Sequence, residues 1–219
     1  FASTGGAERE PVDDIRVNAP ARLAANDRAV SLEDFARIAR RRSDIWQAHA
    51  ALLTSPTASH DVCLTVVPAN GGAVGETQKT DLIDFIEARS LPGLRVAISD
   101  YGDVGLLLGT KIYVDTERYD KTEVQEAAHA ILVSTFALER RGLGQPVYIA
   151  EVVAALETVI GVETATIQTF GLKPTSPPIL RTGKTGGSVS AFFPFETQVI
   201  SVNPVSANAD VTVAVEKVS

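Results

Sequence analysis

The stretch from Ser31 to Arg42, SLEDFARIARRR, constrains the fold more than any other, because it fixes where an amphipathic helix starts and which face it buries. The Ser31 hydroxyl can accept from the backbone N–H of Asp34. The Asp34 carboxylate, a shorter version of the usual Glu, can accept from the Ser31 N–H in return. Val30 and Phe35 occupy the two positions of a hydrophobic staple, and Leu32, Phe35, Ala36 and Ala39 form an apolar stripe. Arg40, Arg41 and Arg42 complement the negative end of the helix dipole. Ile45 to Leu53 reads as a strand, so the chain passes from helix to strand within a few residues.

The rest of the chain alternates in the same way. Residues 1–27 are rich in Gly, Ala, Pro and charge, with a short helix at Pro11 to Val17 and a break at Pro20, and are expected to form an arm or linker. The turn-forming cluster Thr54 to Ser59 separates the first strand from a second at Asp61 to Val67. Thr77 caps a helix to about Arg89, and Pro92-Gly93 stops it before a strand at Leu94 to Ser99. The polar turn Asp100 to Asp103 is the natural internal boundary, giving modules over 28–102 and 103–219. In the second module, Lys111, Tyr113 and Asp115 alternate with Ile112 and Val114, the mark of a strand wet on one face. Asp120 caps a helix carrying Val124, Ala128 and Ile131, a second helix runs from about Ala150 to Val159, and Val162 to Phe170 is a strand. Residues 172–190 are expected as a long Pro-, Gly- and Ser-rich loop, with strands at Phe195 to Val202 and Asp210 to Val218 beyond it. The expected class is α+β: two small sandwich modules of the split βαβ, ferredoxin-like kind.

At 219 residues and 45% hydrophobic content the chain can bury a substantial core. A net charge of −7 argues against broad binding of a phosphate backbone, which needs clustered cations, and the Arg40–Arg42 run is explained by its helix end. No segment approaches the ~20 apolar residues of a membrane span, and the start lacks a signal-peptide pattern, so synthesis in a soluble compartment is expected. The chain begins at Phe1 and contains no Met, as expected of a portion of a longer polypeptide.

The inventory of chemistry is sparse. Gly183-Lys184-Thr185 resembles the end of a phosphate-binding loop, but Pro178 stands where that motif needs Gly. His49, His60 and His129 are scattered, and Cys63 sits alone in an apolar run as a small buried hydrophobe. Asp81 with Asp84 and Glu123 with Glu126 share helix faces without a sign of perturbed ionisation, and Asp100 with Asp103 lacks the rest of a calcium loop. No catalytic residue, metal site or cofactor is expected. Trp46 and the cluster Phe192, Phe193 and Phe195 remain as candidate anchors of a protein interface.

Pro20-Ala21-Arg22-Leu23 followed by Arg28-Ala29-Val30-Ser31-Leu32-Glu33-Asp34-Phe35 resembles the entry motif of baseplate J-like proteins. Gln145-Pro146-Val147-Tyr148-Ile149-Ala150-Glu151 leading to Val159-Ile160-Gly161-Val162 is similar to a second motif of that family. Thr4-Gly5-Gly6-Ala7-Glu8 resembles the stretch that precedes the first. The sequence departs from the pattern at Ala150, where a helix-capping Ser is common. The resemblance implies a structural subunit of the baseplate of a contractile phage tail or related contractile injection system, acting in wedge assembly, and not an enzyme. It implies other wedge subunits and copies of the chain in a ring as partners, with neither nucleic acid nor membrane insertion. Synthesis would be in the bacterial cytoplasm, and the destination a virion or injection particle. A second reading is a ferredoxin-like ligand-binding or regulatory module, with polar groups converging from Asp100–Asp103 or Gly183–Gly187.

Overall fold

The computed structural model describes residues 28–53, 61–203 and 206–217. The expected arm, the Thr54–Ser59 turn, His60 and the Thr4–Glu8 motif lie outside them. The chain divides into two compact units, Phe1–Ser99 and Asp100–Ser219.

In the first unit, helix α1 (Leu32–Ala39) starts as its sequence dictates. The Asp34 N–H donates to Ser31 Oγ at 3.2 Å, and the Ser31 N–H donates to Asp34 Oδ2 at 2.9 Å. The N–H of Ser31 holds the Asp34 carboxyl below its ordinary range. Phe35, Ala36, Ile38 and Ala39 are buried, so the stripe is centred one residue further on than the reading built on Leu32. The staple does not form: Val30 is 75% exposed, and Ala29 is buried in its place, its N–H donating to Arg89 O. At the other end Arg40 Nε donates to Ala36 O, while Arg42 clasps Asp44 through two 2.9 Å contacts. Gln78 adds a third bond to the same carboxylate, and the Arg42 guanidinium holds Asp44 below its usual range.

Strand β1 (Ile45–Leu52) pairs antiparallel with β2 (Val62–Pro68), and β3 (Val96–Asp100) lies on the other side of β2 after helix α2 (Glu76–Glu87). Helix α2 starts at Gly75 with no side-chain cap, not at Thr77. The core gathers Phe35 and Ile38 from α1, Val62, Leu64 and Val66 from β2, and Leu82 and Ile86 from α2. Each such side chain, fully buried, contributes about 1.5–3 kcal/mol. Cys63 is only half buried and lies 3.5 Å from Ser99 Oγ, on the more polar side of the sheet. Among the described residues the order is αββαβ with three strands; the α+β class holds, whereas a ferredoxin-like module requires four strands in βαββαβ order.

The second unit is built on β4 (Gly102–Val114), a 13-residue strand. It is followed by α3 (Lys121–Thr135), a short 3-10 turn (Leu138–Arg140), β5 (Val147–Tyr148), α4 (Ile149–Glu157), β6 (Val162–Leu172), β7 (Arg181–Thr185), β8 (Ser188–Phe193), β9 (Gln198–Ser201), α5 (Ala207–Asp210) and β10 (Val211–Lys217). β6 pairs antiparallel with β4; β9 and β10 pair parallel with its first and second halves. Leu106, Leu108, Ile112 and Val114 point inward, leaving Lys111 and Tyr113 on the wet face. Asp120 caps α3 by accepting from the N–H groups of Thr122 and Glu123, and Val124, Ala128, Leu132 and Phe136 form its buried row at i, i+4 spacing. This unit too is α+β and mixed rather than ferredoxin-like in strand order. Among the described residues no helix is long and apolar enough to cross a membrane.

Candidate protein interface

Residues 172–190, expected as a loop, contain β7 and the start of β8. Gly186 and Gly187, at φ 59° and 86°, form the two-residue turn between paired Thr185 and Ser188. Positive φ at both positions matches the right-handed twist of the strands, as in a type I′ hairpin. A Gly-Gly pair between strand-forming residues is that signal in the sequence; the nearby Pro177-Pro178 and the phosphate-loop look of Gly183-Lys184-Thr185 obscured it. Those three residues lie within β7 or at its turn, without the helix that a phosphate loop needs.

β8 is the central strand of a small sheet, with β5 on one side and β7 on the other. Alternation sends Val147 and Phe192 inward, where Phe192 is 5% exposed and its ring lies 4.8 Å from that of Phe170. Phe192 is therefore core and has no surface to offer a partner, a correction to its reading as an interface anchor. Phe193 faces the other way. The Tyr148 ring meets it edge-on at 5.8 Å, and the Arg181 guanidinium stacks over it at 3.9 Å. Gly183 leaves room for this: a Cβ there would stand 3.2 Å from the Phe193 ring and from the Ala191 side chain. Phe195 and Leu180 are exposed as well. Tyr148 and Arg181 were not among the expected interface residues. Tyr148 stood inside the Gln145–Glu151 motif and Arg181 inside the supposed loop.

That motif has a physical reading. The Tyr148 N–H donates to Glu151 Oε1 at 2.9 Å, so Glu151 closes the start of α4; the N-cap is Tyr148, and Ala150, read as the capping position, is the second residue inside the helix. Its other oxygen accepts from Arg141 Nη1 at 2.8 Å, and Arg141, 3% exposed, also donates to Pro146 O. Gln145 accepts from the Gly142 N–H. One carboxylate thus caps a helix, neutralises a buried cation and fixes the backbone that presents Tyr148.

In the first unit, β1 is an edge strand and Trp46 is its extra, bulged residue between Ile45↔Pro68 and Gln47↔Val67, which turns the ring outward to 47% exposure. Trp46 and the Phe193 group belong to different units.

The other candidate groups stay dispersed. Among the described residues no group of three or more His, Cys, Asp or Glu side chains is placed to hold a metal ion. His129 lines an open groove with Gln125 and Val213, its Nε2 buried and without a hydrogen-bond partner among the described residues. Lys173 Nζ pairs with the buried Asp210 at 2.6 Å and donates to Ser206 Oγ, which also bonds Asp210. Asp103 is exposed as a residue, yet neighbouring protein displaces enough water from its carboxyl to push it above the ordinary range, with Lys173 opposing. The arrangement offers surfaces, a cap and internal ion pairs.

Residues 27–99 match the family model of the Baseplate J-like central domain, a third of the chain that includes the Ser31 box. The likeness to baseplate J-like proteins read from the sequence is borne out there. Among solved structures, a chain of the one titled "Cryo-EM structure of the anti-feeding prophage (AFP) baseplate, 6-fold symmetrised" superposes with a TM-score of 0.60 at 14% identity. The alignment covers 91% of this chain and 43% of that one, so the protein has this fold and spans less than half the length of that neighbour. No curated protein sequence matches the chain.

Proposed function

We propose that the chain is a structural part of the baseplate of a contractile injection particle or contractile phage tail, acting in wedge assembly through protein–protein contacts. The observation that carries this is the match of residues 27–99 to the Baseplate J-like central domain. The shared fold with a chain of a six-fold symmetrised baseplate supports the same reading. Partners are then other wedge subunits and further copies of the chain around a ring. The two units that meet near residue 100 then serve as two modules of that subunit. Trp46, Phe193 and Phe195 are anchors on its surface, and synthesis is in the bacterial cytoplasm before incorporation into the particle.

The test is co-expression of the intact parent protein with the products of its neighbouring genes, followed by native mass spectrometry. Stable complexes with baseplate, tube or spike proteins are expected. A parent that stays monomeric, joins none of them and gains thermal stability from a metabolite would overturn the proposal.

A further inference from the structure

From Thr164 to Phe195 the chain carries the cations Lys173, Arg181 and Lys184 and no carboxylate, within a protein of net charge −7. Lys173 is occupied by Asp210. Arg181 and Lys184 both lie on β7, both are exposed, and among the described residues no ion pair engages either. β7 is the outermost strand of its sheet: among the described residues it pairs only with β8, so one side of its backbone is open to a further strand. No Pro interrupts it, and the bulge of this hairpin falls opposite, where Ser190 is the extra residue between Ala191 and Val189.

Charge decides what can pair there. Two copies of this edge brought together would set cations against cations, which disfavours a second copy as the occupant. A strand bearing carboxylates meets the opposite condition. Stacking on Phe193 also holds the Arg181 guanidinium in place before any partner arrives, which lowers the entropy lost on binding. On the same face Tyr148 and Phe193 offer an apolar surface next to that cation.

We propose that the open edge of β7 receives an extended acidic segment of another polypeptide as an added strand. Its backbone pairs with Arg181–Thr185, its carboxylates lie against Arg181 and Lys184, and an apolar side chain rests on Phe193 and Tyr148. The inference rests on the assembly reading for the existence of a protein partner; the choice of edge and of partner charge rests on the geometry alone.

The test uses the full chain and three fluorescein-labelled peptides of about eight residues, the length of a typical strand. One, Thr-Glu-Val-Thr-Glu-Val-Thr-Glu, repeats Glu at every third position so that carboxylates reach both faces, as Arg181 and Lys184 three residues apart require, with Val on each face as well; one has Lys for each Glu, and one is the Glu peptide with alternate backbone nitrogens methylated. Fluorescence anisotropy should show binding of the Glu peptide alone. Its affinity should fall about tenfold or more in the Arg181→Glu/Lys184→Glu variant and with rising salt, while circular dichroism verifies that the variant is folded. Equal binding of the Glu and Lys peptides, undiminished binding of the methylated peptide or by the variant, or no binding of the Glu peptide at about 1 mM would each overturn the proposal. Self-association in sedimentation that the double variant abolishes would overturn the choice of occupant. Failure of the peptides leaves the co-expression result standing, and failure of co-assembly leaves the peptide result standing, so the two readings fall separately.

Discussion

Changing Glu151 to Gln is the sharpest test of how the second unit is held. Gln keeps an oxygen for the Tyr148 N–H and removes only the charge facing Arg141, which is 3% exposed and 2.8 Å away. Breaking a buried ion pair by removing one partner costs about 3–5 kcal/mol. Glu151 itself is 33% exposed, so water can reach the altered site, and the cost should lie at or below the lower end, about 2–3 kcal/mol. Glu151→Ala also loses the cap, adding about 1 kcal/mol. With a urea dependence of about 2 kcal/mol per molar, the Gln variant should lower the unfolding midpoint by about 1–1.5 M, read by far-ultraviolet circular dichroism on the full chain. Glu163→Gln, at an exposed position of β6, is the control and should move stability by less than about 0.5 kcal/mol. If the midpoints of the two Gln variants coincide, the carboxylate is a surface group, and the account of the Gln145–Glu151 motif fails.

Four further outcomes are expected. Ser31→Ala should cost about 1 kcal/mol. Because Asp34 titrates below its unfolded value, the stability it contributes is present above about pH 4 and lost as pH falls through the folded value, so Asp34→Asn should flatten the acid limb of a pH–stability curve; an unchanged limb would refute the capping role. Gly161, at φ 97°, would place a Cβ 2.9 Å from Val124 and 3.0 Å from Tyr119, so Gly161→Ala should destabilise by about 2–3 kcal/mol in urea titrations; a neutral change would contradict this geometry. Lys173→Met strands a carboxylate 7% exposed, whereas Asp210→Asn leaves an ammonium that can reach water along its flexible stem, so the first should cost about 3 and the second about 1 kcal/mol. The reverse order would show that the pair is not buried as described.

Some of this was legible in the residues, and some was not, for identifiable reasons. The Ser31 and Asp120 caps depend on side chains three residues or fewer from the groups they bond, so spacing alone places them. The staple failed because Val30 needed a neighbour packed over it, and the fold buried Ala29 instead. The β7–β8 hairpin was missed although its Gly-Gly turn was in view, since the composition of 172–190 is that of a loop and only pairing makes strands of it. The role of Glu151 was invisible because Arg141 lies ten residues away across the start of a helix.

The sequence by itself determined the α+β class, the starts of α1 and α3 and the absence of a familiar catalytic motif, all of which follow from contacts within a turn or from alternation along one element. Only the tertiary structure decided that Phe192 is core while Phe193 faces outward beside Arg181 and Tyr148, and that β7, among the described residues, keeps an open edge. Burial and strand order depend on which distant segments pack together, and no local pattern of residues encodes that choice.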